Sequence, residues 1–145
     1  TEGSLKGGMF NRTAAKYGEG VQILTAVGDR FVEIVESGVE DSPEAQEQVG
    51  KVIEPLLDKG ADRIVLGCTH YPFLASHIRR VIGERGVEIV DSSAAVVRQV
   101  ARLLQQFDIE AESGHKPVYD FYSFAGDEYV AGVKRKAEQA LDMDF

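Results

Sequence analysis

The sequence predicts an α/β fold, a mostly parallel sheet with helices on both faces. The run Ile64-Val65-Leu66 is continuously apolar, which is typical of a strand covered on both faces. Before it stands the clearest helix start, Ser42-Pro43-Glu44, where a capping residue, a proline and an acidic first turn come together. Predicted strands alternate with predicted helices along the chain, and this order favours parallel strands joined by crossover helices.

Each element has its own signals in the residues. The helix after Ser42 carries an apolar stripe at helical spacing and ends at Gly60, a natural C-terminal cap. Before that helix, the sequence predicts a helix from Ser4 to about Lys16, a buried strand at 21–24 and a short helix capped by Asp29. After it come the strand at 64–66, a helix at about 72–82, a strand at 87–90 and a helix at about 93–106. A polar linker at 108–116, an aromatic edge strand at 118–124 and a last helix to about Leu141 complete the prediction.

Composition excludes several classes of function. The 145-residue chain has Lys+Arg 16 and Asp+Glu 24, a formal net charge of -8. That balance disfavours nucleic acid and anionic membrane surfaces, because both attract basic patches. Cys68 is the one cysteine, so no intrachain disulfide is expected and a reducing compartment fits. The chain opens at Thr1 in a loop that no strand precedes, so we expect a processed or truncated N-terminus or an incomplete gene product.

Polar clusters follow two of the predicted strands. Cys68-Thr69-His70 follows one, and Asp91-Ser92-Ser93 follows the next. Because parallel strands end at one edge of a sheet, we expect both clusters, and the loop 1–4, to lie together there. A thiol at a helix N-terminus is favoured as thiolate, and His70 is placed to relay a proton. The plainer alternatives are a packed thiol at Cys68 and a helix cap at Asp91.

Several strings resemble the aspartate/glutamate racemase family. They are Gly67-Cys68-Thr69-His70-Tyr71-Pro72, the opening segment 1–10, the segment 31–38 and Val90-Asp91-Ser92. The resemblance implies cofactor-independent racemisation of glutamate between its L and D forms, which supplies peptidoglycan precursors in the cytoplasm. One thiolate removes the α-proton and a thiol on the opposite face returns one.

The same resemblance implies roles for particular residues. Cys68 corresponds to the second catalytic cysteine of the family, His70 assists it, and Glu36 is a carboxylate near that pair. Thr69, Thr1 and Ser4 match polar groups around the substrate. No metal or cofactor is implied, and one cysteine with two nearby histidines is not a metal site.

The chain departs from the family in length and in cysteine count. Family members are nearly twice as long, and their first cysteine comes from an N-terminal half without a counterpart here. The resemblance thus predicts an α/β domain at 1–91 and a segment at 92–145 that packs partly with that half. We therefore expect the N-terminal half of the enzyme to be a partner of this chain and to supply the second thiol. A homodimer is a less favoured source of that thiol.

Other classes of function stay open on the residues alone. One is an inactive racemase fragment that only binds a dicarboxylate or a partner chain. Another is a hydrolase with Cys68 as nucleophile and His70 as base, although no oxyanion-hole motif is evident. His77, in the same predicted helix as the catalytic motif, is interpreted as a surface residue or a satisfied core histidine.

Overall fold

Helices and a parallel pair of strands build the structure, a computed structural model that describes residues 3, 5 and 7–141. The predicted α/β class is therefore confirmed. The elements are α1 (Gly8–Tyr17), α2 (Phe31–Glu36), α3 (Pro43–Asp58), β1 (Arg63–Leu66), a 3-10 helix (Tyr71–Leu74), α4 (Ala75–Ile82), β2 (Glu88–Asp91), α5 (Ser93–Phe107) and α6 (Asp127–Leu141).

The start and the end of helix α3 follow the sequence signals. Ser42 accepts a hydrogen bond from the backbone N–H of Ala45 at 3.1 Å, and Pro43 occupies the first turn. At the other end Gly60 has φ +83°. Its N–H bonds to the carbonyl of Leu57, and the N–H of Ala61 bonds to that of Leu56, at 2.9 and 3.1 Å. This pair of bonds is a Schellman cap, which favours glycine at the left-handed position.

Strands β1 and β2 pair in parallel, with Arg63 opposite Glu88 and Leu66 opposite Asp91. Both strands therefore end at one edge of the sheet, as the sequence predicts. Ile64 and Leu66 are buried, whereas Val65 between them is 68% exposed. The described residues thus cover one face of β1, where the sequence predicts helices on both.

The hydrophobic core lies on the covered face of β1. Helices α3 and α4 pack against each other, and α2 contacts both α3 and the 3-10 helix. The buried apolar residues are Phe31, Ile34, Val35, Ala45, Val49, Ile53, Ile64, Leu66, Leu74, Ile78 and Ile82. One core thus joins the segments before and after β1, and this fixes the loop that follows the strand.

Two predicted strands are absent from the described part of the chain. Residues 21–24 and 118–124 have no regular structure. A strand needs a neighbour to pair its backbone groups, and neither segment has one among the residues described. Most of their apolar side chains are accordingly exposed, among them Val21 at 63% and Val118 at 80%. Periodicity detected the strand-like composition, but it does not reveal whether a pairing partner is present.

The chain forms two compact units, Thr1–Ala101 and Arg102–Phe145. The division that the sequence predicts, after residue 91, concerns what each segment packs with and stays a prediction.

Helix α2 begins after Arg30, at φ +59°, with no side-chain cap, so the predicted capping by Asp29 is wrong. In the ranges 3, 5 and 7–141, no helix is both long and apolar enough to cross a bilayer.

Candidate active site

The residues after β1 form a tight turn that carries the thiol. The backbone N–H of Tyr71 bonds to the carbonyl of Cys68 at 3.2 Å, and that of Phe73 bonds to His70 at 3.1 Å. The helix predicted from Pro72 therefore opens as a 3-10 turn, and its α-helical part starts only at Ala75. The expectation that Cys68 stands directly at an α-helix N-terminus is wrong, since one 3-10 turn separates them.

The imidazole of His70 is the centre of a polar cluster. Its Nδ1 lies 3.8 Å from Sγ of Cys68 and 3.4 Å from Oγ1 of Thr69. Its Nε2 lies 3.2 Å from Oε1 of Glu36, a residue 34 positions earlier. The structure thus brings the predicted residues Cys68, His70, Thr69 and Glu36 together at the carboxyl end of β1.

The contact with Glu36 favours one tautomer of the neutral His70 ring. A carboxylate only accepts, so Nε2 of His70 carries hydrogen and donates to Glu36. Nδ1 is then the acceptor and faces the thiol of Cys68. An imidazole held in this way by a carboxylate can take a proton from the thiol and return it.

Helix α2 positions the carboxylate. Phe31, Ile34 and Val35 are buried, each 2% exposed, so one face of α2 is anchored in the core. Glu36 is the last residue of the helix. The chain then reverses at Gly38, whose φ is +71° and whose N–H bonds to the carbonyl of Val35. The anchored helix and the turn at Gly38 therefore position the Glu36 carboxylate beside His70.

Asp91, at the end of β2, serves the start of helix α5. Its Oδ1 accepts hydrogen bonds from both the backbone N–H and the hydroxyl of Ser93, each at 2.8 Å. These bonds hold the pKa of the Asp91 carboxyl below its usual value, because they stabilise the charged form. The interpretation of Asp91-Ser92-Ser93 as a helix cap is confirmed.

The remaining predicted residues divide into three groups. Thr1 and Ser4 lie outside the described residues, so their proposed contact with substrate stays a prediction. Thr69 is exposed beside His70, and its role is likewise untested. His77 is a satisfied core residue, 1% exposed, with Nε2 2.6 Å from the carbonyl of Glu40 and Nδ1 2.7 Å from Oε1 of Gln46.

Sequence reasoning missed the side chains that support the cluster. Tyr71 accepts a hydrogen bond from the backbone N–H of Gly28 at 3.1 Å, and its ring meets that of Phe31 edge-on. The tyrosine belongs to the motif, but its position in the sequence indicates no role for it. The described residues, 3, 5 and 7–141, contain no group of three or more His, Cys, Asp or Glu side chains able to hold a metal ion.

Comparisons with known proteins agree with the motif. A family model described as Asp/Glu/Hydantoin racemase matches residues 1–100. The glutamate racemase of Deinococcus radiodurans is 44% identical over 108 residues, 73% of this chain and 37% of that protein. The glutamate racemase of Lactococcus lactis subsp. cremoris strain SK11 is 35% identical over 143 residues, 99% of this chain and 51% of that protein.

Solved structures show a similar fold. Escherichia coli glutamate racemase, in complex with L-glutamate and an activator, has a TM-score of 0.70 at 26% identity, over 94% of this chain and 52% of that one. A glutamate racemase isoform from Bacillus anthracis has a TM-score of 0.74 over 100% of this chain and 53% of that one. At 23% identity the second likeness concerns the fold alone. The chain spans about half the length of these proteins, or less.

Proposed function

The chain belongs to the Asp/Glu/Hydantoin racemase family, and from that premise we propose that it takes part in the cofactor-independent racemisation of glutamate. Cys68 acts as one of two acid/base thiols, and His70 and Glu36 assist it. Thr69, with Thr1 and Ser4, contacts the substrate. The product, D-glutamate, serves peptidoglycan precursor synthesis in the cytoplasm.

The contact line from Cys68 through His70 to Glu36 carries this proposal. Nδ1 of His70 accepts the thiol proton, which leaves a thiolate at Cys68 and an imidazolium held by the carboxylate. The thiolate then takes the α-proton of the substrate, so an S–H bond forms as the Cα–H bond breaks. The electron pair stays on the substrate, and its carboxylate side needs donors to hold the growing charge.

A second thiol has to come from outside these 145 residues, because the sequence holds one cysteine. We propose that a separate N-terminal half supplies it, as the family resemblance implies; the chain covers only 37% and 51% of two longer relatives. An exposed apolar surface supports this partner. It comprises Val65 on β1, 68% exposed, and Val96, Val97 and Val100 on α5, which are 56%, 66% and 49% exposed. Exposed aliphatic side chains in such number are typical of a surface that a partner covers.

Proton NMR of the chain in deuterated water, with D-glutamate and then with L-glutamate, tests the role of Cys68. A thiol base on one face removes the α-proton and returns deuterium from the same side. We expect exchange of one enantiomer without inversion, and we expect Cys68→Ser to abolish it. Absence of exchange from a chain that circular dichroism shows to be folded would contradict the proposal and favour a fragment that only binds.

Glu36→Gln tests the carboxylate. The amide keeps the size of the side chain but loses the charge that holds the imidazolium, so we expect exchange to slow by roughly tenfold to hundredfold. Glu33→Gln is the matched control, because Glu33 lies on the same helix but pairs with Arg30 at 3.4 Å. Equal rates for the two variants would remove Glu36 from the proposed mechanism.

A further inference from the structure

The Glu36–His70 hydrogen bond needs support from outside the pair. Its side chains are 42% and 30% exposed, and they come from segments 34 residues apart. An exposed ion pair contributes little free energy, because solvent screens it and its long side chains lose rotamer freedom. The 3.2 Å separation must therefore be set by whatever fixes helix α2 relative to the turn after β1.

Tyr71 makes that connection. It directly follows His70, and its hydroxyl oxygen accepts the backbone N–H of Gly28 at 3.1 Å. Its ring lies edge-to-face on Phe31, with centroids 5.2 Å apart and planes at 77°. Phe31 is the first residue of α2 and is 2% exposed. One side chain thus joins the turn that carries Cys68 and His70 to both the loop before α2 and the helix itself.

Gly28 makes the close approach possible. A Cβ built at this position would lie 2.4 Å from Cδ2 of Phe31 and 2.8 Å from Cζ of Tyr71. Both separations are far below van der Waals contact, so the two rings leave room for hydrogen alone. Gly28 therefore serves by its small size, which lets its N–H reach the tyrosine hydroxyl.

We infer that Tyr71 is a positioning residue that sets the Glu36–His70 hydrogen bond by clamping the catalytic turn to helix α2. The inference rests on the proposed function for its catalytic meaning. The clamp itself consists of the Tyr71 hydroxyl on Gly28 and the Tyr71 ring on Phe31. It acts through His70, and neither ring need touch the substrate.

Two variants disturb the clamp in different ways. Tyr71→Phe keeps the ring and removes the hydroxyl, whereas Gly28→Ala keeps the hydroxyl and pushes the rings apart. We expect either change to slow α-proton exchange by roughly tenfold, since a small displacement of a catalytic group is costly. Tyr17→Phe, at a tyrosine that is 70% exposed, is the control and should match the parent chain.

The ¹⁵N resonances of the His70 ring give a readout that does not depend on turnover. In the parent chain we expect the tautomer with hydrogen on Nε2, held by Glu36. In Tyr71→Phe and Gly28→Ala we expect the resonances to move toward those of Glu36→Gln. The double variant Tyr71→Phe/Glu36→Gln should exchange no more slowly than Glu36→Gln alone, because both changes break the same bond.

Unchanged His70 resonances in a folded Tyr71→Phe chain would overturn the inference, whatever its rate. So would slowing in the double variant that is the product of the two single effects. If the parent chain shows no exchange at all, the proposed function fails, but the resonances still decide whether Tyr71 sets the Glu36–His70 bond. The two failures are therefore distinguishable.

Discussion

His77→Leu removes a buried histidine that joins three segments. The ring is 1% exposed. Its Nε2 donates to the carbonyl of Glu40, between α2 and α3, at 2.6 Å. Its Nδ1 lies 2.7 Å from Oε1 of Gln46 on α3. Leucine has a similar size, so the substitution chiefly tests these two polar contacts and leaves packing volume nearly unchanged.

The expected magnitude follows from the groups that lose a partner. A buried polar group left without a hydrogen bond costs about 1–3 kcal/mol. The carbonyl of Glu40 loses its bond to the ring outright. Oε1 of Gln46 loses the contact with the ring but still accepts a hydrogen bond from Nη1 of Arg80 at 3.5 Å, so Gln46 loses only part of its hydrogen bonding. Burial of the apolar leucine side chain offsets part of the lost hydrogen-bond energy. We expect the free energy of unfolding to fall by about 2 kcal/mol.

Urea unfolding followed by circular dichroism measures the effect. With a slope of about 1–3 kcal/mol per molar, the midpoint should fall by roughly 1 M while the slope is unchanged. His115→Leu, the same change at an exposed linker position, should stay within about 0.5 kcal/mol of the parent. Gln46→Leu should be less destabilising in the His77→Leu chain than in the parent, by about 0.5 kcal/mol or more. An unchanged midpoint, or full additivity, would refute the reasoning.

Two capping predictions concern other helices. Ser42→Ala removes the bond to the N–H of Ala45 and should destabilise the chain by about 1 kcal/mol in the same urea assay; Ser42→Asn, which caps as well, should not. Asp91→Ala should speed amide hydrogen exchange in the first turn of α5 at pH 7. Since the pKa of Asp91 is lowered in the folded chain, its stabilisation is present above the ordinary value of 3.8 and is lost as the pH falls through the lower folded value. A difference between parent and Asp91→Ala that does not shrink as the pH is lowered from 7 would contradict this assignment.

The regular elements with local signals were predictable from the sequence. Ser42, Pro43 and Gly60 set the ends of α3 through contacts within a few residues of each position. The apolar run at 64–66 predicted β1 correctly, although Val65 is 68% exposed and the described residues cover one face of the strand. The strands expected at 21–24 and 118–124 were not found, since a strand depends on a neighbour that local composition does not reveal.

The candidate site was predictable only in part. Cys68 and His70 are two residues apart, so the sequence alone predicts that they lie close together. Glu36 is 34 residues from His70, and only the family resemblance indicated its place in the site. The contact between Tyr71 and Gly28 spans 43 residues and depends on the lack of a side chain at the glycine. No periodicity or motif signals a space that is left empty for a neighbouring ring.

The shortness of α2 affects how the site responds to heat. Six residues are far fewer than the ~12–15 that sustain a helix in water, so burial of its apolar face keeps this helix formed. Detaching so small a segment exposes much less apolar surface than melting the whole domain, and such partial opening has a lower free energy. On warming, the carboxylate of Glu36 would leave His70 while α3 and α4 still pack together. We therefore expect the chemistry to fail at a lower temperature than the unfolding of α3 and α4.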